Sequence, residues 1–288
     1  GWTEMIYNHI TIRLPDSVTG GDKQFLINPF GLHYTEVTAS NLVKINLAGD
    51  KLDDSPYPVN PAGYVLHSTI HGGIDGAHCV MHTHTTAGVA VASLEGGLSQ
   101  SNFYSAQLHD MVAYHDFEGI TVHAEEGPRV LKSIGNKPAV ILRNHGLLSW
   151  GQTLPQTFAI LWTLQRACEI QLATQSMGAP IPVPEDIAAK CTRDALQFNP
   201  NHGAGQDVFE ALVRQVDRIR HLPVVDGGKL VGITALCAIA AAPVSAAALI
   251  ASSVMASSSK SSCSATPSRK SAMSFTGSSQ PKYSKSIK

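Results

Sequence analysis

The chain has 288 residues, of which 43% are hydrophobic and 15% charged, and its formal net charge is −1. That length admits one large domain or two ordinary ones. The near-neutral balance, with no stripe of lysine and arginine, excludes a nucleic-acid binder. The balance is uneven along the chain. Residues 1–220 carry 14 Lys/Arg against 21 Asp/Glu, whereas 221–288 carry 7 against 1. Five cysteines, Cys79, Cys168, Cys191, Cys237 and Cys263, show no CxxC spacing. They read as reduced thiols of a cytoplasmic protein. The chain opens on Gly1-Trp2 without a signal peptide, so further residues before Gly1 are expected.

Ile6, Ile10, Ile12 and Leu14 alternate with more polar residues and predict a half-buried strand. A turn over Pro15–Asp22 leads to a returning strand at Phe25–Asn28. Thr38-Ala39-Ser40 caps a short helix, and a strand at Lys44–Leu47 ends in a Gly49-Asp50 turn. Ala62, Val65, Leu66, Thr69 and Ile70 recur at helical spacing up to Gly72-Gly73. Cys79-Val80-Met81 is a buried strand opening into His82-Thr83-His84, followed by a helix over Ala87–Leu94 that Gly96-Gly97 ends. A second buried run, Ala139–Leu142, leads into Arg143-Asn144-His145-Gly146, where Gly146 suits a sharp turn. Helices are expected at Leu154–Ser176, Glu185–Leu196 and Val208–Ile219. Early strands lie side by side and later ones alternate with helices, which predicts an α/β layered domain with a mixed sheet over residues 1–219.

Beyond Arg220 the texture changes. His221–Ile233 resembles half of a cystathionine-β-synthase-type (CBS) repeat without the second copy such a module needs. From Thr234 the chain is rich in Ala and Ser with almost no acid, and residues 220–288 are expected to be a disordered or artefactual tail without activity. Leu230–Met255 lacks acids and bases, but its Ala and Ser content and Pro243 argue against a membrane span.

Of thirteen histidines, His82 and His84 stand out, because residues i and i+2 on an extended segment face the same side and can reach one ion. Both lie where a buried strand ends, as His145 does. Three neutral imidazoles can hold a borderline divalent ion and leave positions open, the layout of a catalytic site.

Asn28-Pro29-Phe30-Gly31, Asn60-Pro61-Ala62-Gly63, His82-Thr83-His84 and Arg143-Asn144-His145-Gly146-Leu147 together resemble the class II aldolase/adducin family, in order and over about residues 1–219. The resemblance implies a three-layer α/β/α fold and a homotetramer with its site at a subunit interface. It also implies a metal, Zn2+ foremost and Fe2+ as the alternative, on residues matching His82, His84 and His145.

The departures bear on chemistry. Gly63 stands where the sugar-phosphate aldolases of the family carry a proton-transferring acid, Pro61 and Ala62 replace two phosphate-holding serines, and His9 falls at the family's early phosphate-loop Asn. Returning the acid by Gly63→Glu is expected to restore no more than a trace of proton transfer. Replacement carriers come from His67, His109, Tyr114 and His115, while Glu118 reads as a solvated loop carboxylate. Three functions follow. The first is a metal-dependent lyase for a small carbonyl or hydroxy-acid substrate; the second is a non-haem iron oxygenase or decarboxylase on the same ligands. The third is a non-catalytic adducin-like module with actin- or spectrin-type partners.

Overall fold

The computed structural model describes residues 2, 4–195, 198, 199, 201, 203–219, 221–226 and 229–235, with side chains described as far as 214. In chain order the elements are β1 (His9–Arg13), α1 (Asp16–Thr19), β2 (Gln24–Ile27), β3 (Val43–Asn46), α2 (Pro61–Gly73) and β4 (Cys79–Thr83). Then come α3 (Thr86–Ala92), α4 (Phe103–Ala106), β5 (Val112–His115), α5 (Gly127–Ile134), β6 (Ala139–Leu142) and β7 (Gly146–Gly151). The last are α6 (Leu154–Thr174), α7 (Glu185–Asp194), α8 (Gln206–Ile219), β8 (His221–Asp226) and β9 (Lys229–Ala235).

Seven strands form one sheet in the order β3-β2-β1-β4-β7-β6-β5. Every neighbouring pair is antiparallel except β5 and β6, so the sheet is mixed, as expected. The period-2 alternation of β4 splits the core. Cys79 and Met81 pack with Val91, Ile160 and Leu164 of α3 and α6 on one face, and Val80 packs with Leu66, Ile70, Val130 and Ile134 of α2 and α5 on the other. This is the expected α/β/α layering. A satellite cluster of Phe25, Ile27, Val43 and Ile45 closes the β2–β3 edge.

Several elements differ from the sequence reading. Gly146 is not a turn but the first residue of β7, which pairs with β4 and β6 and is buried along most of its length. α4, β5 and α5 also fall in a stretch read without elements. The cystathionine-β-synthase-like segment falls on an antiparallel hairpin of β8 with β9, and the rest of the expected tail lies outside the described residues. Among the described residues no helix is long and apolar enough to cross a membrane, and Cys79, Cys168 and Cys191 are free thiols.

Candidate metal centre

The site lies at one end of the sheet, where β1 and β7 begin and β4, β5 and β6 finish. The register places His9 beside His82, Leu142 beside Gly146 and His115 beside Leu142. His82 shares the face of Val80, beneath α2 and α5. His84 follows the strand, and its backbone N–H donates to Asn8 Oδ1 at 2.9 Å. Asn8 in turn is held through its carbonyl oxygen, which accepts from the Tyr34 hydroxyl at 2.6 Å and from Asn28 Nδ2 at 3.4 Å. His145 sits in the β6–β7 turn, where Asn144 takes a left-handed φ of 56°. That turn is tied down by Arg143, whose Nη1 donates to the carbonyl oxygens of Leu94 and Glu95 and whose guanidinium covers the Tyr114 ring.

Gly146 is required by close approach, since a Cβ there would lie 2.4 Å from the Thr83 carbonyl oxygen and 3.3 Å from the His82 ring.

The three imidazoles converge. His84 Nε2 lies 2.9 Å from His82 Nε2 and 3.0 Å from His145 Nε2. All the ligand atoms of the group fall within 4.8 Å of one another. Nitrogens about 2.0–2.1 Å from a tetrahedral ion stand about 3.3 Å apart, so the spacing suits one small cation. The tautomer of His82 follows from its surroundings. Its Nδ1 must donate to the Leu147 carbonyl oxygen at 2.9 Å, which leaves Nε2 with a lone pair facing its neighbours. Burial lowers the pKa of all three histidines; His145 drops to about 4, with nearby His84 and His115 adding to the effect. Each is therefore neutral near pH 7, the form that binds metal.

His9 covers the inner wall. Asn60 caps α2 by accepting from the Ala62 N–H through Oδ1, so its amide nitrogen faces His9 Nε2 at 2.8 Å. The His9 proton therefore resides on Nδ1, which is buried without a partner. The His9 ring fills the space above Gly63, where a Cβ would come within 2.6 Å of it. This corrects the expectation for Gly63→Glu, because an acid at 63 has no room while His9 is present.

The candidate proton carriers separate. His67 lies one ring deeper than His9, at 5.9 Å between centroids, and is fully buried. The contacts around it fix a chain of donors. His71 Nδ1 donates to the Ala77 carbonyl, so the Thr11 hydroxyl donates to His71 Nε2 and accepts from His67 Nδ1. That leaves His67 Nε2 bare and buried without a partner.

His109 lies before β5, at the opposite end of the strand from the triad, with Nε2 3.5 Å from Asp110. Tyr114 packs with the α3/α6 cluster on the other face, its hydroxyl accepting from the Leu98 N–H at 3.0 Å. Glu118 is paired with Arg129.

His115, by contrast, is buried at the site end of β5, its Nδ1 3.0 Å from Ser133 Oγ and its Nε2 3.2 Å from Glu126 Oε1. Sequence reasoning missed Glu126, which lies in the unread stretch before α5. Its only signal was a carboxylate one residue from a helix start, a pattern common on solvated surfaces.

The family described as "Class II Aldolase and Adducin N-terminal domain" matches over residues 1–172. A Pseudomonas aeruginosa protein assigned to aldolase class 2 is 41% identical over 222 residues, spanning 76% of this chain and 83% of the relative. Mouse alpha-adducin is also 41% identical, over 233 residues, which are 76% of this chain but 31% of alpha-adducin. Among solved structures, an L-fuculose 1-phosphate aldolase from Glaciozyma antarctica superposes with a TM-score of 0.64 at 28% identity, over 75% of this chain and 84% of that one.

Proposed function

The chain belongs to the class II aldolase and adducin family, and on that premise we propose that it is a metal-dependent lyase for a small carbonyl or hydroxy-acid substrate. The observation that carries this reading is the convergence of three neutral imidazoles at the end of the sheet. His82, His84 and His145 would hold the ion, Zn2+ foremost and Fe2+ as the alternative. A divalent ion bound there polarises a carbonyl oxygen and stabilises the negative charge that develops on it. The residues around it supply orientation: Leu147 fixes the His82 ring, Asn8 holds the backbone of His84, and His9 closes the inner side against water. The family's homotetramer, with a site completed at a subunit interface, is part of the proposal.

Sugar phosphates fit this site poorly. Pro61 and Ala62 bring no hydroxyl to the start of α2, and Gly63 brings no acid. Arg143, which lines a cavity with His145, is spent on backbone carbonyls and on Tyr114. The identity to alpha-adducin supports a second reading, a module that binds other proteins. The convergent histidines favour the enzyme, since a binding surface gains nothing from three neutral imidazoles gathered at one point.

Metal analysis of the purified protein separates these readings, with about one Zn2+ or Fe2+ per chain expected and His145→Ala expected to lose it. The identity of the metal then separates the lyase from an iron-dependent oxygenase or decarboxylase. A screen of unphosphorylated hydroxycarbonyl compounds and hydroxy acids should find the substrate. Turnover of fuculose or ribulose phosphates above about 1 s⁻¹ would overturn the substrate class.

A further inference from the structure

Metal-bound histidines nearly always donate their second ring N–H to a carboxylate, a carbonyl or a water, and that partner sets ring orientation and basicity. His82 has such a partner in Leu147. His84 Nδ1 is buried without a partner, and His145, whose Nε2 faces His84, makes no hydrogen bond through Nδ1 among the described residues. Its surroundings supply one at a distance. His145 forms part of the wall of a cavity of about 10 Å³ that is also lined by His115, Thr121, Glu126 and Arg143. That volume is about what one water molecule needs.

The carboxylate on this wall is held with care. Glu126 is 8% exposed. Its Oε1 accepts from His115 Nε2 at 3.2 Å and lies 3.5 Å from Thr121 Oγ1. The tautomer of His115 is set by that pair, since Nε2 donates to the carboxylate while Nδ1 accepts from the Ser133 hydroxyl at 3.0 Å. One Glu126 oxygen is thus committed, and Oε2 has no hydrogen-bond partner among the described residues. That oxygen is within reach of water, which can donate to it.

We propose that Glu126, fixed by His115 and Thr121, is the outer partner of His145, accepting its Nδ1 proton through one water in this cavity. The bridge fixes the His145 tautomer with its lone pair on Nε2, where the ion binds, and raises the basicity of that nitrogen. Glu126 is a positioning residue: it acts on the ion through His145. The inference rests on the metal-centre reading above and adds to it the residue that precedes α5, in a segment that contributes no ligand.

The test uses the metal alone, on the full chain stripped with a chelator. Zn2+ affinity is measured by competition with a chromophoric chelator, and Co2+ absorption spectra report ligand geometry. Glu126→Gln is nearly isosteric but turns a donor amide toward the cavity. It is expected to weaken Zn2+ binding by about 10–100-fold and to alter the Co2+ spectrum, while the metal-free melting temperature stays close to wild type. Wild-type affinity and an unchanged Co2+ spectrum in Glu126→Gln, with His145→Ala abolishing binding, would overturn the role of Glu126 and leave the metal centre standing. No metal bound to the wild-type protein would instead sink the centre itself. Should Glu126→Gln fail to fold, the Zn2+-loaded wild type decides by nitrogen-15 histidine NMR. A slowly exchanging, downfield Nδ1–H of His145 is expected, and a rapidly exchanging one would overturn the bridge.

Discussion

His9 and Gly63 show how one residue's absence is explained by another's presence. The His9 ring lies where a Cβ on residue 63 would stand, 2.6 Å away, so the two positions are coupled sterically. A larger side chain at 63 must displace a ring that stacks beside His82 and is anchored by Asn60. Overpacking of this kind costs about 1–3 kcal/mol. Gly63→Glu is therefore expected to lower the melting temperature by several degrees, and pairing it with His9→Ala is expected to recover much of that loss. A double mutant no more stable than the additive sum would show that the two residues do not compete for space.

Elements matter here mainly for what their ends present. α2 begins at Pro61 with Asn60 as cap, and Asn60 serves twice, through Oδ1 to Ala62 N–H and through Nδ2 to His9. Asn60→Ala removes both and is expected to destabilise the chain by about 1–2 kcal/mol, at the upper end for a cap because a buried His9 nitrogen loses its donor. Denaturant unfolding measures this, and a change below about 0.5 kcal/mol would show the cap to be unimportant. β4 and β6 were legible because each is a short apolar run that ends in the site residues. β7 was not: Leu147, Leu148 and Ser149 are all buried, so no alternation marks the strand, and Gly146 reads locally as a turn. β5 and α5 carry four and eight residues, lengths at which local pattern competes poorly with packing against neighbours.

The molecule as a whole buries many histidines in neutral form. His71 is held at about 4, chiefly by burial, and His67 lies well below its ordinary value for the same reason. Both are lowered relative to 6.5, so the unfolded chain takes up protons between pH 6.5 and about 4 that the folded chain refuses. Stability from this source is complete above pH 6.5 and declines as pH falls toward 4, at up to about 1.4 kcal/mol per pH unit for each group. The chelator-treated protein is expected to melt at a clearly lower temperature at pH 5 than at pH 7.5. A flat profile across that interval would contradict the burial of neutral histidines.

The order of these residues along the chain determined much of the centre without any coordinates. A period-2 strand puts His82 and His84 within reach of one point, and a buried run delivers His145 to a strand end, because both rules depend only on local geometry. The layered fold followed from the same periodicities. What the tertiary structure alone decided lies between segments distant in sequence. Antiparallel pairing of β1 with β4 brings His9 over Gly63 and beside His82. The parallel pair β5–β6 carries His115, and with it Glu126, to the wall beside His145, and sends His109 to the far end. Contacts such as these depend on which strands become neighbours, and that is settled by burial of the whole sheet between its two helical layers rather than by any local pattern.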